Sequence, residues 1–172
     1  KTDVWILFAP VKKTPTEYII QKATELGVSK ILPVVTERTI TKSLNLKRFQ
    51  DIAIEASEQC ERITIPKIFP LQKLYDVIDK WGDKRTIYYG DETMRNEKQS
   101  TNNFNKLIKA PCGAILVGPE GGFTMKEKSY LKQKKFIIPI NFGQRILKSD
   151  TAVITGLVFW QTLNGDMKTN FK

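Results

Sequence analysis

The chain has 172 residues, room for one domain with a sizeable core, and 41% of them are hydrophobic, which excludes global disorder; no apolar run is long enough to span a membrane. Lysine and arginine number 28 against 18 acidic residues, and the net charge of +10 favours a polyanionic partner, because each phosphate neutralised releases counterions. The absence of histidine, with only Cys60 and Cys112 as thiols, excludes the common zinc spacings, a Cys-His pair and a Ser-His-Asp triad, and fits a reduced, cytoplasmic compartment.

The chain opens at Lys1 without Met or a signal peptide, so it is expected to be part of a longer protein. "WILFAP" reads as a buried strand. In "TPTEYIIQKATELGV", Thr14, Pro15 and Glu17 have the spacing of a capping box with proline in the first turn, and Gly27 supplies a left-handed stop. "SKILPVVT" is the next strand, with Arg38 just beyond it. Helical spacing of Phe49, Ile52, Ala53, Ala56 and Cys60 predicts a helix over Leu46–Glu61, with Glu55, Gln59 and Arg62 along its other face. "TIPKIF" is a short strand, "LQKLYDVIDKW" a helix and "RTIYYGDE" a strand; the polar stretch Thr93–Asn103 reads as an exposed loop and "NFNKLIK" as a short helix.

"GAILVGPEGGF" follows, five residues of buried strand running into Gly118, Pro119, Glu120, Gly121 and Gly122. Thr124 and Glu127 repeat the capping-box spacing ahead of the helix "MKEKSYLKQ". "KFIIPI" is a buried strand, "NFGQRILKSDTA" begins irregularly, and "TAVITGLVFWQTL" is a helix apolar nearly all round. Alternation of strands and helices predicts an α/β layer structure around a mainly parallel sheet.

Glycine admits close backbone approach and proline stiffens the loop, so a strand, a glycine-rich turn and a capped helix can hold a ligand. The 118–122 turn matches neither the Walker loop nor the dinucleotide fingerprint, and Glu120 would repel a phosphate, so a cationic or hydroxyl-bearing ligand suits it better. By itself such a turn is more often a tight connection than a site. A second strand-end loop, with Gly143 and with Arg145 and Lys148 flanking Ile146 and Leu147, supplies a second wall for one pocket.

Four segments together resemble the RsmE family of 16S ribosomal RNA uridine-N3 methyltransferases, in the trefoil-knotted (SPOUT) class. They are "QKATELGVSKILPVVTERT", "EASEQCERITIPKI", "LVGPEGGFT" and "FGQRILKSDTA". Where the family usually has Arg and Glu, this chain has Lys148 and Asp150; charge is kept, but lysine lacks arginine's bidentate fork. The resemblance implies an α/β fold with a C-terminal trefoil knot and one methyltransferase domain over residues 1–172. A small N-terminal RNA-binding barrel of the family is absent from this chain. It also implies S-adenosyl-L-methionine as cofactor, with no metal. The expected partners are 16S ribosomal RNA in the small subunit and a second copy joined through the knot region, where Phe159 and Trp160 are hard to bury together in a monomer.

By that resemblance Leu116, Gly118, Glu120 and Gly121 form one wall of the cofactor site and Phe142, Gly143, Ile146 and Leu147 the other. Arg38, Arg62, Arg145 and Lys148 hold RNA phosphates. Uridine N3 must lose a proton, and without histidine a carboxylate such as Glu55 or Glu58 could take it, or Arg145 or Arg62 could stabilise the uridine anion. Cationic assistance is favoured, with Arg145 nearest the reaction and Glu55 and Arg62 in support. Two rivals remain: a knotted ribose 2′-O-methyltransferase, since "EASEQCER" resembles those enzymes too, and a ribosome-associated RNA binder that has lost its cofactor.

Overall fold

The computed structural model describes residues 3–82, 84–96 and 111–168. The strands are β1 (Asp3–Phe8), β2 (Lys30–Val35), β3 (Lys67–Ile68), β4 (Gln72–Lys73), β5 (Thr86–Gly90), β6 (Cys112–Val117) and β7 (Ile137–Ile140). The helices are α1 (Lys13–Glu25), α2 (Leu46–Gln59), α3 (Leu74–Asp79), α4 (Met125–Lys132) and α5 (Ser149–Asn164). Every strand pair is parallel, in the order β3-β2-β1-β6-β5-β7, with β4 also on β2. The α/β class and the parallel sheet expected from the alternation are thus observed.

Strand alternation divides the core into two. Ile6, Phe8, Ile31, Tyr88, Ile115 and Val117 face α1, α2 and α5, while Leu7, Leu32, Ile87, Tyr89 and Leu116 face α3 and α4. Pro33 has no N–H to donate, and the outer edge is split beside it: β3 pairs with Lys30 and Ile31, β4 with Val34 and Val35. Pro139 sits on the edge strand β7, where a missing donor is tolerated.

Several element boundaries differ from the sequence expectation. Helix α1 starts at Lys13 with Lys12 as N-cap and no side-chain cap, so the Thr14–Glu17 box does not form. Thr16 instead accepts the Val11 N–H at 3.1 Å, and Glu17 lies 3.4 Å from Arg48. Helix α2 ends at Gln59, and Glu61 has φ 58°, so Arg62 leaves the helix instead of sharing a face with Glu55. The "LQKLYDVIDKW" segment is a two-residue strand followed by the six-residue α3. The strand of "RTIYYGDE" stops at Gly90, and Glu92–Asn96 form a 3₁₀ turn. The helix expected at Asn103–Lys109 lies outside the described residues. Two expectations hold at residue level: Gly27 has φ 80°, and Thr124 and Glu127 form a reciprocal capping box.

After β7 at one edge, the chain returns across the sheet so that α5 packs on β6, β1 and α1, with Ser149 donating to the Gly118 carbonyl at 3.2 Å. Trp160 is buried in this packing, leaving Val158 and Phe159 on the exposed side of the helix. The expectation that Phe159 and Trp160 resist joint burial is therefore met by burying only the tryptophan. At the opposite end of the sheet, the Arg85 guanidinium stacks 3.9 Å above Trp5 and donates to the carbonyls of Asp3 and Gly113, closing the strands' N-terminal ends.

Candidate active site

Register brings three strand ends level: Tyr89 pairs with Leu116 and Gly90 with Ile140, so β6, β5 and β7 finish together. Their loops surround a cavity of about 340 Å³, in which residues 118–120, 122 and 123 form one side, 141–143 and 145–149 the other and 90–92 the floor between them. A ligand cleft at the carboxyl ends of parallel strands is the usual place in such sheets.

The first loop is held by a turn in which the Gly122 N–H reaches the Pro119 carbonyl at 2.8 Å. Gly122 has φ 69°, and a Cβ there would stand 2.6 Å from Glu92 Oε1, so a side chain meets both strain and a neighbour. In the second loop Asn141 accepts the Gly143 N–H at 2.9 Å and donates to the Met94 carbonyl at 3.0 Å. Gly143 has φ 110° with open space where its Cβ would be, so this backbone is bare toward a ligand. The Phe142 ring rests on two glycines, and a Cβ at Gly90 or Gly156 would come within 2.5 Å or 3.1 Å of it.

Asp91 on the floor is paired. Lys128 Nζ lies 3.2 Å from Asp91 Oδ1, and their side chains are 9% and 0% exposed. Burial pushes the Asp91 carboxyl up, but the Thr93 hydroxyl and amide and the Lys128 ammonium outweigh it and hold the group below the usual carboxylate range. Asp91 also accepts from the buried Tyr89 hydroxyl at 3.3 Å, and its own N–H donates to Ile140 at 3.0 Å, tying β5 to β7. At the mouth, Glu120, Arg145, Ile146 and Lys148 are exposed.

Of the residues expected at a cofactor site, Gly118, Glu120, Phe142, Gly143, Ile146 and Leu147 line the cavity, together with Arg145 and Lys148. Leu116 lies beneath it in the sheet core, because its side chain points to the face covered by α3 and α4. Gly121 faces away, its carbonyl accepting from Arg38. Glu55 lines a separate groove between α1 and α2 with Tyr18 and Arg48, and Glu58 is exposed on the same helix. Arg62 is occupied elsewhere: its guanidinium donates to the Thr24 carbonyl at 2.6 Å, the Val28 carbonyl at 3.0 Å and Thr64. One chain therefore brings Arg145, but neither Glu55 nor Arg62, to the cavity. Sequence reasoning missed Gly90, Asp91, Glu92, Asn141 and Lys128; the glycine and two acids ending "YYGDE" were the available signal. Among the described residues no group of acids or thiols has a metal-binding arrangement, and no helix is long and apolar enough to cross a membrane.

A parallel sheet with glycine-bearing loops at the ends of β6 and β7, and a last helix tucked beneath the first of them, is the α/β fold of the trefoil-knotted methyltransferases. A family model for the RNA methyltransferase domain matches residues 1–161, and the chain belongs to that family. Two relatives within it share one name. Ribosomal RNA small subunit methyltransferase E of Rickettsia conorii is 32% identical, with the match covering 91% of this chain but only 63% of that protein. The protein so named in Bacillus subtilis is 30% identical over 95% of this chain and 68% of its own length. The crystal structure of a ribosomal RNA small subunit methyltransferase E from Neisseria gonorrhoeae, bound to S-adenosyl methionine, superposes with a TM-score of 0.80 at 28% identity, covering 94% of this chain and 66% of that one.

Proposed function

We propose that this chain is the catalytic domain of an S-adenosylmethionine-dependent methyltransferase acting on N3 of a uridine in 16S ribosomal RNA. The observation that carries the reading is the cavity where β5, β6 and β7 end, formed by the same two loops that bear the family resemblance. Its chemistry suits the donor: bare backbone at Gly143 for polar edges, an apolar slot from Phe142, Ile146 and Leu147, and carboxylates at Glu92 and Glu120 facing a cationic ligand.

When bound, the donor supplies an already activated methyl group, so the protein's task is alignment and handling of the uridine proton. Gly118, Glu120, Phe142, Gly143, Ile146 and Leu147 hold the donor. Arg145 at the mouth stabilises the negative charge that develops on the base as its N3–H is lost, in place of an imidazole the chain does not possess. Glu55 and Arg62, remote from the cavity within one chain, take part only if another molecule in the assembly presents them. Lys148 and the surrounding positive charge hold phosphates, and the target base must be splayed from its helix for N3 to be reached. The exposed Val158 and Phe159 on α5 support a homodimer through this region, working on the small subunit in the cytoplasm.

Two measurements test the reading. Calorimetry should show one donor molecule bound per chain; no heat at millimolar donor sinks the assignment. Mass mapping of 16S RNA from cells lacking the protein should reveal one uridine without its base methyl. A missing ribose methyl instead would move the enzyme to the 2′-O class.

A further inference from the structure

We infer that Arg38 is a positioning residue for the donor, locking the Gly118–Phe123 turn from the neighbouring strand end rather than contacting RNA. The inference rests on the function proposed above. A turn containing Gly121 and Gly122 has little intrinsic stiffness, since glycine loses more freedom on ordering than any other residue. Besides its own Gly122–Pro119 bond and the Ser149 contact to Gly118, the loop after β2 braces it, with Arg38 on the turn itself and Glu37 on the start of the helix that follows.

The Arg38 guanidinium donates to the Gly121 carbonyl. Its stem also lies along the turn, where a Cβ on Gly121 would be 3.2 Å from Arg38 Cδ. The Glu37 N–H donates to Glu127 Oε1 at 2.7 Å, while the other oxygen of that fully buried carboxylate accepts the Thr124 N–H at 2.9 Å. One carboxylate thus joins the backbones of two loops distant in sequence. The Thr124 hydroxyl donates to Glu37 Oε2 at 2.9 Å, and Tyr75 donates to Glu37 Oε1 at 3.1 Å. Lys126 completes the cluster 3.7 Å from Glu37. These bonds hold Glu37 below the usual carboxylate range, first through the Thr124 hydroxyl and then through Tyr75.

The strap meets the turn on its outer side, because Gly118, Glu120 and Gly122 line the cavity and Gly121 does not. Arg38 therefore acts through the turn and touches no reacting atom. A guanidinium committed to a carbonyl while lying along the backbone has a role that an arginine waiting for phosphate lacks.

The test compares wild type, Arg38→Ala and Arg38→Lys in three measurements on the whole chain: melting temperature, calorimetry with S-adenosylmethionine, and binding of a single-stranded RNA oligonucleotide across a salt series. One charge-assisted hydrogen bond at the turn corresponds to roughly a tenfold loss of donor affinity in Arg38→Ala, partly restored in Arg38→Lys, with RNA affinity and its salt slope unchanged. In turnover the donor KM rises and kcat is kept. The inference is overturned if Arg38→Ala binds donor as wild type does. An RNA salt slope that falls by about 0.7 would then reveal a phosphate contact. It is overturned as well if lysine restores nothing while the melting temperature falls, since that marks general destabilisation. Wild type that binds no donor removes the functional reading itself, and this inference with it.

Discussion

The buried ion pair beneath the cavity gives the sharpest test of what holds the site together. Converting Asp91 to asparagine keeps its shape but removes the charge facing Lys128, whose side chain is only 9% exposed. An ammonium left in such a place without its counter-charge costs about 3–5 kcal/mol, against a total of about 5–15 kcal/mol for a domain. Converting Lys128 to methionine costs less, because the Asp91 carboxylate retains the Thr93 amide, the Thr93 hydroxyl and the Tyr89 hydroxyl as donors. The double variant Asp91→Asn with Lys128→Met buries no net charge and should recover much of the loss.

Urea unfolding at neutral pH reads all three. With a slope near 2 kcal/mol per molar urea, a loss of about 3 kcal/mol lowers the midpoint by about 1.5 M. The pH dependence follows from the same group. Asp91 titrates below its ordinary 3.8 in the folded protein, so its contribution is complete above that value and is lost as pH falls through the lower folded one. The double variant should therefore lose less stability in acid than wild type. An Asp91→Asn midpoint within about 0.3 M of wild type, or a double variant no better than that single, would refute the pairing argument.

Three further outcomes follow from local geometry. Gly122→Ala places an ordinary residue at φ 69° and should cost about 1–2 kcal/mol in urea unfolding, mostly strain, since the nearby Glu92 side chain can move aside; an unchanged midpoint would contradict it. Gly156→Val drives its side chain into Ile115 and Phe142, and overpacking of about 1–3 kcal/mol should appear together with weaker donor binding, because Phe142 walls the cavity. Tyr75 is pushed up to about 12 by burial and by its bond to Glu37, so the stability it adds is complete below its ordinary value of 10.0 and is lost as pH rises to about 12. Tyr88, Tyr89 and Tyr130 are pushed up as well, so ultraviolet titration should find several late phenols, of which Tyr75→Phe removes the one ionising at about 12; an unchanged titration in that variant would assign the shift elsewhere.

Much of the fold was legible because local chemistry and tertiary packing agree. Gly27 stops α1 in the left-handed conformation it alone enters cheaply, and Thr124 with Glu127 caps α4 as their spacing announces. The same spacing misleads at Thr14 and Glu17. There Thr16 offers the chain an alternative by bonding back to Val11, and Glu17 is drawn toward Arg48 on another helix. Helical periodicity also runs past the end of α2 into Arg62, since a pattern of side chains does not record that Glu61 turns left-handed and aims Arg62 at the carbonyls of Thr24 and Val28.

The site was legible only in part, for a reason that lies in strand order. The glycine-rich loop after β6 and the Gly143 loop after β7 identify themselves, yet those strands are not neighbours: β5 lies between them, and its end must form the cavity floor. Order in a sheet is a property of long-range pairing, so "YYGDE" signals a glycine and two acids at a strand end without placing that end between the two loops. Helix α4 hides its part more completely. It reads as a polar helix, and polar helices are expected on the surface, yet it buries Glu127 and Lys128 beside Leu131. Those charges are buried because each meets a fixed partner from another strand end: the Glu37 backbone for one and Asp91 for the other. A polar helix placed directly after a glycine-rich turn in a parallel sheet is thus a place to look for buried pairs bracing the turn, and here both pairs sit against the cavity or the loop that walls it.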